Sequence, residues 1–195
     1  MAAKKTMVID LDRCIGCYAC EVACKQENDV ALGVYRNKVA TRGPVGRFPD
    51  LELYYMSNLC QACENPPCVG VCPTRATVQR AEDGIVTMRR EICLGSECQL
   101  CIEACPYGAR SLNRRESFVE KCDLCSHMAE GEKPACVTSC PGFARFSGDI
   151  NDPRSDVSAA VAEAGAENVH AVPDVDGAQP AVRYILHEKI AAWRE

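Results

Sequence analysis

Sixteen cysteines in a chain of 195 residues are the side chains here whose type and spacing can do chemistry, and all of them fall into four runs of four. The first run is Cys14, Cys17, Cys20 and Cys24, and the second is Cys60, Cys63, Cys68 and Cys72. The third is Cys93, Cys98, Cys101 and Cys105, and the fourth is Cys122 and Cys125 followed, after a longer gap, by Cys136 and Cys140. A disulfide needs two Cα atoms roughly 4.4–6.8 Å apart with suitably aimed Cβ atoms. Three thiols within seven residues, as in Cys14–Cys20, instead converge on one point. The N-terminal stretch MAAKKTMVID has two lysines but no apolar run and no twin arginine, so it does not read as an export signal into an oxidising compartment.

Soft thiolates suit iron–sulfur clusters and zinc. A zinc site calls for two cysteine pairs separated by a longer loop, which makes a multi-zinc structural module the reading from a different class. Three closely spaced thiols followed by a fourth in C-x3-C-P is the bacterial spacing for [4Fe–4S] clusters, in which the fourth thiol ligates the neighbouring cluster. Three of the four runs end in that way: CVGVCPTRAT, CIEACPYGAR and CVTSCPGFAR share C-x3-C-P-x2-A. A recurring pattern that uses every cysteine favours iron–sulfur.

The elements that must position these thiols repeat with them. C-x3-C places two cysteines one helical turn apart, and Pro73, Pro106 and Pro141 stop that turn because proline cannot continue the hydrogen-bond ladder. Short apolar runs precede the first cysteine in TMVIDLDRC, GIVTMRREIC and ESFVEKC and predict strands. Asp83-Gly84, between two β-rich runs, predicts a hairpin, and ARSLNRRESFVEK predicts a second one without glycine. Residues 25–59 read as a linker whose Gly- and Pro-rich TRGPVGRFP is an extended surface segment facing a partner. Asp152-Pro153 reads as an N-cap and first turn of a helix through about Ala164, AVRYIL as a strand, and HEKIAAW as a last turn in which Trp193 docks.

Little else looks functional. His127, His170 and His187 are not spaced as a ligand set and read as loop or surface residues, and no nucleophile–base–acid constellation or phosphate-binding glycine loop is present in the sequence. Gly16 and Gly95 are positions where backbone amides can approach cluster sulfides. Lys25, Arg75, Arg110, Lys121 and Arg145 lie close to cysteines and either offset cluster charge or are solvated. A net charge of −5 argues against nucleic acid as a partner. The 47 % apolar share counts the cysteines, and only 6 % of residues are aromatic, thin for a well-cored domain, so something besides aliphatic packing must hold the fold. No run approaches the roughly 20 apolar residues of a membrane-spanning helix.

Taken together, the four cysteine groups, FPDLELYYMSNLCQACENPPCVGVCPTRAT, and the tail segments GDINDPRSDVS and GAQPAVRYIL resemble the four-cluster electron-transfer subunit of the dimethyl sulfoxide reductase superfamily of complex iron–sulfur molybdoenzymes. The polysulfide- and thiosulfate-reductase type is the nearest in look, and the resemblance runs over essentially the whole chain. It implies an α+β fold of two nested bacterial-ferredoxin-like modules with a C-terminal extension. The outer module takes 1–58 and 115–150, the inner 59–114, and the docking extension 151–195. Four [4Fe–4S] clusters are implied: Cys14, Cys17, Cys20 and Cys140; Cys24, Cys122, Cys125 and Cys136; Cys60, Cys63, Cys68 and Cys105; and Cys72, Cys93, Cys98 and Cys101. Two departures stand out: four residues separate Cys93 from Cys98 where the family has two, and Lys25 replaces the proline after Cys24.

The implied role is a wire, non-catalytic by itself, between a large molybdenum bis-pterin catalytic subunit and an external or quinone-binding membrane partner. A stand-alone polyferredoxin or a hydrogenase wire subunit would use the same ligands. The expected location is cytoplasmic by default, or exported already folded with a signal-bearing partner.

Overall fold

The computed structural model describes residues 3–129 and 131–187. Along the chain, β1 (Lys5–Asp10) leads into the first cysteine group, whose last two thiols ride on α1 (Ala19–Glu27). The long strands β2 (Asn37–Arg47) and β3 (Asp50–Leu59) form a hairpin before the second group. That group ends on the single turn α2 (Pro67–Gly70), and β4 (Thr77–Gln79) and β5 (Val86–Met88) follow as a hairpin. The third group runs into α3 (Leu100–Glu103), then the hairpin β6 (Ser111–Asn113) and β7 (Phe118–Glu120). The fourth ends on α4 (Ala135–Thr138), after which come β8 (Arg145–Asp149), α5 (Asp156–Ala164), β9 (Val169–His170) and β10 (Arg183–Ile185). Helices and small sheets thus mix in an α+β arrangement.

The third cysteine of each group sits in the first two residues of its helix, and a proline follows the last cysteine in three of them, as the spacing predicts. Helix α1 packs on α4 and α2 packs on α3. The largest sheet has the order β8-β1-β10-β9, with β8 antiparallel and β10 parallel to β1. Its inner face, with Met7, Ile9 and Tyr184 fully buried, packs on Leu59, Tyr54 and Val39 of the β2–β3 hairpin. On the other face Val8 and Ile185 meet Val157 and Ala160 of α5. The 151–187 stretch is therefore built into the body, with β10 seated between β1 and β9.

Two expectations about irregular segments change. Residues 37–59 are no linker but a paired hairpin; TRGPVGRFP lies along β2 and its turn, still extended and exposed, with a register shift between Arg42 and Val45 that accommodates Gly43-Pro44. Proline hides such a strand because it removes a ladder donor. Helix α5 starts later than Asp152-Pro153: Ser155 is its N-cap and accepts from the Ser158 amide at 3.2 Å, while Asp152 caps the preceding turn through the Arg154 amide at 2.9 Å. The helix ends at Ala164 as expected. HEKIAAW lies outside the described residues apart from its first residue, His187, so Trp193 does too.

Candidate metal centres

All sixteen cysteines are free thiols, and the fold brings them together in quartets drawn from different groups. One cavity of about 320 Å³ is lined by Cys72, Cys93, Cys98 and Cys101. A second, of about 400 Å³, is lined by Cys14, Cys17, Cys20 and Cys140. A third, of about 320 Å³, is lined by Cys24, Cys122, Cys125 and Cys136. The remaining four form their own neighbourhood, in which Cys63 lies in electrostatic reach of Cys60, Cys68 and Cys105. Each quartet takes its odd member from the end of the partner group: Cys24 on α1 itself, and Cys72, Cys105 and Cys140 just beyond α2, α3 and α4, where α1 packs on α4 and α2 on α3. Among the described residues no three or more His, Cys, Asp or Glu side chains close on a point that fits a single metal ion.

Gathering four thiols raises their cost of ionising. Burial, then the neighbouring Cys136 and Cys125, push Cys24 up to about 12, and burial with Cys60, Cys68 and Cys105 does the same to Cys63. Half-buried Cys122 is raised well above the ordinary thiol value, by desolvation first and then by Cys136. Cys72 goes the other way: burial alone would raise it, but the Thr77 amide at 3.4 Å, the Thr74 hydroxyl and the Ala76 amide hold it below the usual range. The Ala144 amide donates to Cys140 Sγ at 3.4 Å from the equivalent turn. A cationic core is what makes such crowded sites release their protons.

Gly16 and Gly95 have roles beyond amide approach. Both have left-handed φ, +65° and +54°; a Cβ on Gly16 would lie 2.4 Å from the Tyr55 ring, and one on Gly95 only 1.9 Å from the Ser117 carbonyl oxygen. The Gly16 amide does donate toward the Cys14 thiol. The extra residues between Cys93 and Cys98 form a 3-10 turn, Gly95–Glu97, that rests on the β6–β7 turn, and Cys98 still shares its cavity with Cys72, Cys93 and Cys101.

The cations divide. Arg75 is solvated, and Lys25 points away to the Val34 and Ala31 carbonyls and the Tyr35 ring. Lys121 is buried and holds the Val86 and Cys122 carbonyls. Arg110 and Arg145 are buried against thiols. His127 pairs with Glu27 and His187 with Asp12 at the surface, and His170 meets the Leu186 carbonyl; none of them lines the three cavities described above. Sequence reasoning missed Asn28, whose Nδ2 lies 3.8 Å from both Cys24 and Cys125 Sγ, and Arg36, which bonds Asn28 and pairs with buried Glu120 at 3.0 Å. Neither belongs to a repeated motif.

Residues 51–150 match the family described as 4Fe-4S dicluster domain, and residues 5–26 match a 4Fe-4S binding domain. A component of the polysulfide reductase of Wolinella succinogenes is 44 % identical over 83 % of this chain and 85 % of its own. An iron–sulfur subunit assigned to a dimethyl sulfoxide reductase in Halobacterium salinarum is 42 % identical over 93 % of this chain and 79 % of its own. A subunit of the sulfite dehydrogenase of Allochromatium vinosum is 37 % identical over 94 % and 83 %. The chain belongs to the iron–sulfur subunits of the dimethyl sulfoxide reductase superfamily. As such it is an electron-transfer protein, its cofactors are [4Fe–4S] clusters, and sixteen thiols match the needs of four. The thiol quartets fit that group in donor chemistry, four soft sulfur ligands to each set.

Proposed function

We propose that the sixteen cysteines ligate four [4Fe–4S] clusters in two cross-ligated pairs, and that the chain relays electrons between a large molybdenum bis-pterin catalytic subunit and an external or membrane-bound redox partner. The observation that carries this reading is the exchange of thiols between non-adjacent groups. Cys140 lines the cavity of Cys14, Cys17 and Cys20, while Cys24 lines that of Cys122, Cys125 and Cys136. The nested division follows, with an outer module of 1–58 and 115–150 around an inner one of 59–114. Bound clusters supply reversible one-electron redox centres.

The chain's own residues set the order. Cys20 and Cys136 lie in mutual electrostatic reach, and Cys122 lies near Cys60. The quartets therefore run from Cys14/17/20/140 through Cys24/122/125/136 and Cys60/63/68/105 to Cys72/93/98/101. Both ends carry exposed hydrocarbon suited to docking: Ile15, Val22 and Phe143 at the first, Val71, Leu94 and Leu100 at the last. Among the described residues no helix is long and apolar enough to cross a membrane, so a membrane partner is reached by docking. We place the chain in the cytoplasm by default, or outside it after export in folded form with a signal-bearing catalytic subunit.

The test is ligand by ligand. Cys24→Ala should disturb the cluster of Cys122, Cys125 and Cys136 and leave that of Cys14, Cys17 and Cys20, while Cys140→Ala should do the reverse, read as which magnetic signal of the dithionite-reduced protein is lost. Loss of the same signal in both variants contradicts cross-ligation. A tagged chain that emerges from its native cells without a molybdenum-containing partner contradicts the complex.

A further inference from the structure

Two buried guanidinium groups face no carboxylate among the described residues. Among the described residues, five cationic side chains are buried: Lys4, Arg36, Arg110, Lys121 and Arg145. Lys4 pairs with Glu64 and Arg36 with Glu120. Lys121 meets no carboxylate among the described residues but donates to the Val86 and Cys122 carbonyls, whereas Arg110 and Arg145, 4 % and 5 % exposed, meet neither a described carboxylate nor a full set of neutral acceptors. Nε and Nη2 of Arg110 and Nε of Arg145 also lack any hydrogen-bond partner of ordinary geometry. Orphaned buried donors are rare, and an unpaired buried charge costs several kcal/mol. Some anion must face each.

Thiols face them. Arg110 lies against Cys68, Cys101 and Cys60, and Arg145 against Cys136, Cys20 and Cys122. Each arginine thus meets the third cysteine of both groups in its pair, one from each of two quartets. Arg145 lines both outer cavities. Each follows the last cysteine of its group by the same interval, Cys105 to Arg110 and Cys140 to Arg145.

The remaining nitrogens are held in the same manner twice. Arg110 Nη1 donates to Thr77 Oγ1 at 3.2 Å and lies 3.5 Å from Met88 Sδ. Arg145 donates to Ser57 Oγ at 2.8 Å and to Asn37 Oδ1 at 3.5 Å, and lies 3.1 Å from Met7 Sδ. Thr77 opens β4 and Asn37 opens β2, the first strands after the partner cysteine groups. Neutral partners fix the fork without cancelling its charge. A purely structural arginine would be satisfied by its neighbours, and these two are not.

We propose that Arg110 and Arg145 are redox-positioning residues, each placing one positive charge between the two clusters of a pair so that both clusters are held at raised potentials together. This rests on the ligand sets proposed above. A [4Fe–4S] cluster on four thiolates is anionic and gains negative charge on reduction, so a fixed cation nearby favours the reduced form. Placing it between two clusters keeps their potentials in step, which suits a relay that must not trap its electron on one member. A guanidinium group does not give up its proton in a protein, so the charge at each position is fixed.

The experiment is a potentiometric titration, followed by electron paramagnetic resonance, of the full chain co-expressed with its partner and purified anaerobically. Arg110→Gln should lower two of the four midpoint potentials and leave two in place, and Arg145→Gln should lower the other two. Arg110→Lys and Arg145→Lys keep the charge but cannot span both clusters, so the two members of the pair should separate in potential. Four unmoved potentials at full iron content, in the Gln and Lys variants alike, overturn the proposal, and so does an equal shift of all four. Where a Gln variant loses iron, the corresponding Lys variant decides: a separated pair supports the proposal and an unmoved pair overturns it. Wild-type protein with fewer than four titrating clusters would instead overturn the ligand sets, independently of either arginine.

Discussion

The region around groups one and four and the region around groups two and three carry equal numbers of thiols but very different amounts of hydrocarbon. Around the first, Met7, Ile9, Leu59, Val182, Tyr184 and Leu186 close a core between a four-stranded sheet and a long hairpin, and Val8, Val157 and Ile185 close a second under α5. Around the second, the fully enclosed cluster is Cys68, Val86, Cys101 and Val119, so half its members are thiols. Its secondary structure is two hairpins of three-residue strands, two single helical turns and two 3-10 turns. A two-stranded hairpin is marginal alone, and metal binding can itself be folding energy. The contrast teaches that one set of ligands decorates a fold while the other is most of it.

Removing the metal should expose this difference most. After anaerobic chelation of iron, amides of β4–β7 are expected to lose hydrogen-exchange protection by orders of magnitude, while β1, β8 and β10 keep much of theirs. Equal loss in both regions breaks the comparison. Next comes a deletion in the hydrocarbon core. Tyr184 is fully buried, accepts from Gln61 Nε2 at 3.0 Å and donates to the Ser57 carbonyl at 3.1 Å, so Tyr184→Ala should cost about 3–5 kcal/mol in denaturant midpoint analysis. Its iron content should stay closer to wild type in the inner quartets than in the outer.

A smaller effect tests the seam between the regions. Asp83 sits in the β4–β5 turn; its Oδ1 accepts from Arg80 Nε at 3.0 Å and the Ile85 amide at 3.1 Å, and its carbonyl accepts from the Lys5 amide at 2.9 Å, tying the turn to β1. Burial alone would raise its carboxyl, but the Arg80 hydrogen bond, the Ile85 amide and the Arg80 charge hold it below the usual range. A lowered folded value means stability that is present above the unfolded pKa of about 3.9 and lost as pH falls through the lower folded one. Asp83→Asn should therefore cost about 1–3 kcal/mol near neutrality and shrink that acid-side loss, measured as local exchange in β4 and β5. The smallest effect is at the surface: the hydrogen bond and charge of Asp12 raise His187 above its ordinary value. That contribution is complete below about pH 6.5 and fades as pH rises through the raised value. Asp12→Asn should return the histidine's NMR titration toward the ordinary value, and an unchanged titration would remove this tether between the start of group one and the end of β10.

What was legible in the sequence follows from what repeats. The four cysteine runs, the single-turn helices ahead of Pro73, Pro106 and Pro141, and the Asp83-Gly84 hairpin all rest on local spacing. The structure places the helices and the hairpin where that spacing puts them, whereas the cross-group sets are implied by the resemblance alone. The β2–β3 hairpin was hidden because Gly43, Pro44 and Gly46 break the alternation that marks a strand, and only the register shift reconciles them with pairing. Asn28 and Arg36 came from non-repeating sequence, and their importance depends on contacts 97 and 84 residues away. Arg110 and Arg145 were visible as cations near cysteines, but only burial separates them from solvated Arg75.

The central claim, four [4Fe–4S] clusters on sixteen thiols, is tested most directly by iron and zinc content together with the paramagnetic spectrum of anaerobically purified, dithionite-reduced protein. The account predicts about 16 iron atoms per chain, negligible zinc and interacting signals from neighbouring reduced clusters. Zinc in place of iron, or about 12 iron atoms with one quartet silent, would contradict it.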